Sequence, residues 1–377
     1  MRIEIIEKYL DSLIENSTPD IPAWNIEAAI QGKKSGWNYV DGCMILAILE
    51  MWKATRQEKY LEFAESYMSH RVREDGTIEG YDPEEYNLDH VNAGKTLFIL
   101  YDATGKEKYR KAADLIYRQL ERQPRTYEGN FWHKKIYPNQ VWLDGLYMSQ
   151  PFYMEYIMRN DKKSLCADIY SQFFRVAANM KDKKTGLYYH AYDASREMFW
   201  CDRETGLSQN FWLRALGWFS MAMLDTLCQA DPDCMPHSYD TLKYMFADLM
   251  KNMLNYQDES GMWYQVVDMA GREKNYPETS GSAIMAYCML KGVRLGFLPA
   301  EYQKHGQRAF EGICRNCLRE EDGNLSLGGI CLSAGLGGPQ RRDGSYEYYM
   351  SEPVVKDDAK GVGPFLLAYA QLRREEE

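Results

Sequence analysis

The 377-residue chain has no apolar stretch approaching the ~20 residues a membrane span requires. It has no basic surplus either, since 55 acidic against 45 basic residues leave a formal net charge of -10. That balance argues against a nucleic-acid partner or an anionic membrane surface, both of which need a basic face. A small anionic ligand, which responds to local charge, is still allowed. The nine cysteines lack framework spacing and read as free thiols in a reducing compartment. Cys314 and Cys317 are the one close pair, but a zinc site needs a second pair or nearby histidines, so neither a metal nor another cofactor is expected. The opening segment carries Glu4, Glu7, Asp11 and Glu15 among its apolar residues, unlike a signal peptide. A cytoplasmic location is the expectation.

What the chain does have is repetition. Ala54–Ala64 and Ala103–Ala113 match at six of eleven positions, offset by 49. A glycine leading into a short extended piece recurs at Gly76, Gly129, Gly186, Gly261 and Gly323, at a mean spacing near 62, which makes about six units of the whole chain. Each unit holds two kinds of helix. Half-buried stripes are predicted at 2–15, 57–73, 106–122, 162–180, 238–255 and 300–318. Segments apolar nearly all round are predicted at 39–54, 90–103, 143–158, 211–227, 280–295 and 360–372. Strict alternation of six and six predicts an all-α fold, an (α/α)6 barrel with an inner ring inside an outer one, as a single domain over 1–377. A linear solenoid would need polar capping units, and the C-terminal segment is among the most apolar, which favours closure.

In such a toroid the inner helices start at one mouth. The polar exceptions gather at those starts: Asn38, Tyr39 and Asp41; Asp89, His90 and Asn92; His133 and Lys134; Trp142 and Asp144; His190; Trp212, Arg214 and Trp218; Glu278 and Thr279. Converging helix N-termini favour an anion, and aromatic faces suit sugar rings. Each residue has a plainer reading too. The aspartates could be N-caps, the tryptophans core, Arg214 one half of a structural ion pair, and the histidines turn residues. The coincidence at one mouth is what points to a site.

Several of these segments resemble a known family. Trp142–Phe152 (WLDGLYMSQPF, including Met148), Asp89–Gly94, Tyr189–Asp193, Phe211–Trp218 and the run from Leu332 to Pro364 resemble the unsaturated rhamnogalacturonyl hydrolases, glycoside hydrolase family 105. The likeness covers nearly the full chain in order, with Tyr192 standing where the family commonly has tryptophan. It implies an (α/α)6 barrel without cofactor, related to the unsaturated glucuronyl hydrolases, acting on a small anionic oligosaccharide. By motif, Asp144 falls on the general acid/base and Asp89 on a second carboxylate. His133, His190, Arg214 and Trp218 fall at substrate-contacting positions, Asn38 and Tyr39 match more loosely at the start of the first inner helix, and Lys134, Trp142, Met148 and Trp212 are further substrate-binding candidates.

The implied reaction is cleavage of a 4,5-unsaturated galacturonyl residue from rhamnose. Its vinyl ether accepts a proton at C4 from Asp144 and water at C5, unlike attack at an anomeric carbon. Trp142, Tyr147 and Asp89 are expected to favour the acid form of Asp144. The alternatives are an unsaturated glucuronyl hydrolase, an epimerase with a histidine pair, a saturated-sugar glycosidase, or a non-catalytic sugar-binding repeat protein. The oligomeric state is not set by the sequence, and the Gly335–Asp343 loop could cover the mouth or lie free on the surface.

Overall fold

The computed structural model describes residues 3–321 and 323–375. Helices α1 (Ile3–Glu15) and α2 (Ile26–Ile30) lead into five hairpins. These are α3 (Tyr39–Thr55) with α4 (Glu58–Ser69), α5 (Lys95–Thr104) with α6 (Glu107–Arg122), and α7 (Leu143–Arg159) with α8 (Cys166–Met180). Then come α9 (Leu213–Gln229) with α10 (Pro236–Leu254), and α11 (Thr279–Arg294) with α12 (Tyr302–Asn316). Helices α13 (Tyr346–Ser351) and α14 (Ala359–Glu375) follow. The last inner helix, α14, takes α1 as its outer partner, so the sixth hairpin is made from both ends of the described chain. Among the described residues no helix is long and apolar enough to cross a membrane.

The ring is closed. Inner helix packs on inner helix from α3 through α5 and the 3-10 turn before it (Leu88–Gly94), then α7, α9 and α11, to α14, and α14 returns to α3. At that seam a Cβ on Gly363 would stand 3.1 Å from the Cys43 carbonyl oxygen, so the two helices meet backbone to backbone. Helix α1 is fixed there by Glu7, which accepts from the Tyr369 hydroxyl at 3.2 Å and pairs with Arg373 at 3.3 Å. The expected alternation holds. Helix α9 is buried almost continuously from Leu213 to Leu227, while α6 buries the stripe Tyr109, Ala112, Ala113, Ile116, Tyr117 and Leu120.

The repeats have a structural meaning. In the 49-residue match, Arg56 and Gly105 occupy the same left-handed link between inner and outer helix, with φ of 58° and 67°. Equivalent aromatics close it: Trp52 Nε1 donates to Glu58 at 3.2 Å, and the Tyr101 hydroxyl donates to Glu107 at 3.1 Å. The recurring glycines mark a turn after each outer helix. A Cβ at Gly76 would meet Lys111 Cβ at 2.3 Å, and one at Gly261 would meet the Arg308 carbonyl oxygen at 2.4 Å; the turns at Gly76, Gly129, Gly186 and Gly261 are seated on the next unit's outer helix, whereas a Cβ at Gly323 would meet nothing within 4 Å.

Several boundaries differ from expectation: the outer helix predicted over 57–73 ends at Ser69, that over 162–180 starts at Cys166 after a 3-10 turn, and that over 300–318 ends at Asn316. Position 2 of the first predicted helix lies outside the described residues. The inner helix predicted from 90 begins as a 3-10 segment, Leu88–Gly94, before α5. Phe211 and Trp212 are extended, Trp212 bridging Val266, so α9 starts at Leu213. Helix α7 contains Pro151, which has no N–H for the carbonyl of Tyr147; Lys95 Nζ supplies the hydrogen bond instead, at 3.1 Å.

Candidate active site

The site is assembled by pairing the extended pieces that precede α7 and α9. Strand β1 (Gln140–Trp142) runs antiparallel to β2 (Ala191–Asp193), with Trp142 opposite Ala191. The pairing continues into the helix start, where Leu143 N–H donates to the His190 carbonyl at 3.1 Å. This brings Asp144, the second residue of α7, to the His190 ring, with Oδ2 and Nε2 3.3 Å apart. Both atoms are buried and neither has a hydrogen-bond partner. On the far side of the ring, Nδ1 lies 2.8 Å from the Tyr349 hydroxyl of α13. In the tautomer in which that hydroxyl donates to Nδ1, the ring proton sits on Nε2 and faces Asp144.

Asp89 is the second residue of the 3-10 segment, its N–H capped by Asn87 at 3.1 Å. Lys134 Nζ lies 2.6 Å from its carboxylate and His133 Nε2 3.4 Å away. Burial would raise the Asp89 pKa, but Lys134 and His133 outweigh it and hold the carboxyl below the ordinary range. Burial pushes His133 down to about 4, so its ring is neutral at physiological pH. A Cβ at Gly145 would stand 2.8 Å from His133 Nδ1; glycine after Asp144 is what lets this ring pack onto α7.

The two carboxylates share a wall. Trp142 stacks on His133 at 4.7 Å and on Tyr137 at 5.3 Å, and meets His190 edge-on at 5.5 Å. With 6% of its surface exposed, Trp142 holds the histidines in place and offers no open platform for a sugar. The Gly335–Asp343 loop belongs to this wall: Leu336 is fully buried in a cluster with Trp142 and Trp200. Arg342 reaches the Tyr137 hydroxyl at 3.5 Å.

Arg214, the second residue of α9, donates to the carbonyls of Cys331 and, at 3.4 Å, Leu332, and to Ser280 Oγ at 3.1 Å. Among the described residues no carboxylate pairs with it directly, so the inner-helix ion pair considered above is not formed. The nearest candidate, Glu278, is committed to capping α11 through Ser280 and Gly281 N–H at 3.0 and 2.8 Å, and to Cys331 N–H at 3.0 Å. Burial disfavours the Arg214 charge, yet its surroundings, Cys331 and Glu278 foremost, hold its pKa above the ordinary arginine value.

The remaining candidates divide. Tyr39 and Lys134 line a recess of about 280 Å³ with Asp89 and Asn38. Asn38 is first of all the cap of α3, accepting from Asp41 N–H at 2.9 Å; Asp41 is enclosed by Trp24, Asn25 and Asn38. A second recess of about 720 Å³ is lined by Leu332, Arg341, Arg342, Tyr348 and Glu352, and both recesses include Glu27 and Gln31. Trp212 is covered by Arg214, whose guanidinium sits 4.8 Å from its ring. Met148 and Trp218 are not brought into the mouth. Each is 1% exposed, and Trp218 stacks on Tyr147 at 4.9 Å, a turn below the site. Tyr349 and Tyr137 were not anticipated; Tyr349 is 159 residues from its partner His190, and no local pattern marks such a contact.

A ring of six helical hairpins with two carboxylates at one mouth is the framework of a glycoside hydrolase, and residues 9–375 match Glycosyl Hydrolase Family 88, to which the chain belongs. Within that grouping it stands with Family 105. A solved Family 105 glycoside hydrolase from C. acetobutylicum is 41% identical with a TM-score of 0.91, covering 100% of this chain and 99% of the other. Protein Atu3128 of Agrobacterium fabrum is 39% identical over 231 residues, 59% of this chain and 97% of that protein. The unsaturated rhamnogalacturonyl hydrolase YesR of Bacillus subtilis is 27% identical over 343 residues, 89% of each chain.

Proposed function

We propose that the protein hydrolyses 4,5-unsaturated galacturonyl-rhamnose oligosaccharides from rhamnogalacturonan breakdown. The observation that carries this reading is the facing pair Asp144 Oδ2 and His190 Nε2, buried at the mouth with no other hydrogen-bond partners. The likeness to YesR supports the choice of sugar. Asp89, paired with Lys134 and held below the usual carboxylate range, is ionised at neutral pH and has no proton to give. The acid is therefore assigned to Asp144.

Asp144 transfers its proton to C4, and the C4=C5 electrons form the new C–H bond, leaving an oxocarbenium-like cation across C5 and O5. The Asp144 carboxylate then takes a proton from water as its oxygen bonds to C5. The hemiketal opens by breaking C5–O5, and the hemiacetal left at C1 then collapses, its hydroxyl proton passing to the departing oxygen as the C1–O bond breaks, to give 5-keto-4-deoxyuronate and rhamnose. Arg214 is assigned to the uronate carboxylate, because it carries charge without a carboxylate of its own. Asp89 and Lys134 take the hydroxyls, and Tyr349 fixes His190 against Asp144. Nine cysteines scattered without framework spacing support a reducing, cytoplasmic setting.

The test is to add the protein to a rhamnogalacturonan-lyase digest in oxygen-18 water. Loss of unsaturated-uronate absorbance, free rhamnose and label on the new ketone are expected. Label on the C1 hydroxyl of the uronate, with none on the ketone, would sink the mechanism. Preference for a disaccharide with an amino-sugar leaving group would move the assignment to the glucuronyl type.

A further inference from the structure

At the other end of the barrel, the inner helices line a third cavity, of about 440 Å³. Nearly every charge around it is paired. Lys291 holds Asp225 at 2.7 Å, and the Tyr287 hydroxyl touches both, at 2.8 and 2.9 Å. Arg159 holds Asp102 at 2.7 Å and Glu155 at 2.8 Å. Lys53 and Arg374 share Glu50, at 3.0 and 2.8 Å. Lys95 is the exception. It lines the cavity, is 6% exposed, and has no ion-pair partner among the described residues. Its amine uses one hydrogen on the Tyr147 carbonyl that Pro151 leaves free, and lies 3.3 Å from the centre of the Tyr147 ring.

A buried ammonium without a counter-ion is unfavourable, and an anion entering the cavity removes that penalty. The groups facing Lys95 from the neighbouring helices are Cys43 on α3, Tyr147 on α7, Asp225 on α9 and Lys291 on α11. Burial, only partly offset by Cys43 and Asp225, pushes its pKa down to about 7. The space exceeds what a bare carboxylate fills and suits a single sugar-sized molecule. Asp225, Glu155 and Tyr287 offer hydrogen-bond partners for hydroxyls, against an apolar side formed by Leu46, Ile99 and Leu367.

We propose that this far cavity is a second ligand site, taking a monosaccharide-sized hydroxycarboxylate whose carboxylate pairs with Lys95. The site is separate from the mouth and does not depend on the reaction assigned there. Pairing favours the charged amine, so binding above neutral pH draws in a proton, and affinity falls as pH rises through the free Lys95 pKa.

The test is calorimetric titration of the full chain with sodium D-gluconate, with sorbitol as the uncharged control. Titrations near pH 6.5 and pH 8.5, in buffers of different ionisation enthalpy, should show one saturable gluconate site and uptake of about one proton at the higher pH. Affinity should be roughly 20-fold weaker at the higher pH, and sorbitol should not bind. Lys95→Met should abolish binding. Should that variant not fold, Ala103→Trp, placed at the exposed rim and away from the buried charges, should weaken binding at least tenfold. The proposal is overturned if gluconate gives no saturable heat at the lower pH. It is also overturned if Ala103→Trp binds normally, or if Arg342→Met at the mouth abolishes binding instead.

Discussion

The two ends of the barrel are built from the same inner helices, yet they leave different polar groups without partners. At the far end, the carboxylates Glu50, Asp102, Glu155 and Asp225 are each matched by a cation. At the mouth, Arg214 rests on carbonyls and a hydroxyl, while Asp144 Oδ2 and His190 Nε2 face each other unbonded. Pairing stabilises the fold, and a missing partner leaves room for a substrate. The same criterion that marks the mouth singles out Lys95 at the far end.

Substitutions can break or sharpen that contrast. Asp144→Asn should lower kcat by at least about 1,000-fold with KM little changed, because the transferable proton is gone. Near-normal turnover would mean that the unbonded pair is not the site of proton transfer. Asp225→Asn at the far end should act on stability, leaving Lys291 charged and buried and lowering the unfolding free energy by about 3 kcal/mol in a denaturant titration. An unchanged midpoint would show that far-end pairing holds little together. Arg214→Met should lower kcat/KM by about 10- to 100-fold, mostly through KM, if the guanidinium holds a carboxylate.

His133 gives a smaller, pH-dependent effect. Its folded pKa of about 4 lies below the ordinary histidine value, so the unfolded chain binds more protons between those two pH values. Stability should therefore rise with pH through that window, and His133→Gln should flatten the slope by up to about 1.4 kcal/mol per pH unit. An unaltered slope would remove His133 from the acid response. The smallest effect belongs to the repeat: Arg56→Gly should stabilise by about 0.5–1 kcal/mol, since Arg56 holds the left-handed position that Gly105 fills in the next unit. A lower melting temperature would show that the arginine side chain matters more than its backbone angle.

The ring was legible in the sequence because the two kinds of helix differ in how many sides they bury, and six alternations leave few arrangements. The glycine-led turns were legible too, since each needs a left-handed residue, four of them beside a neighbouring helix. Less of the site was open to sequence reading. Asp144, Asp89, His133, Lys134 and His190 do gather, and the mouth-wall role of Trp142 follows from its strand. Trp218 and Met148 lie a turn deeper, because an aromatic or methionine near a helix start does not reveal whether it faces the axis or a neighbour. Glu278 is a cap, the plainer reading of an acid at a helix start, whereas Asp41 is held by the side chains of Trp24, Asn25 and Asn38. Tyr349 enters from a short helix that only the long-range packing of the C-terminal segment brings to His190.

The turn led by Gly76 rests on α6, and the one led by Gly261 rests on α12, so a unit is finished only when its successor is in place. An open array of repeats can gain or lose a member at either end and heal. Here, excising one hairpin would strip the preceding turn of its seat and leave its neighbours to span a gap the inner helices cannot close. Change over evolutionary time is thereby channelled into the loops at the mouth, where length can vary while the number of hairpins stays at six.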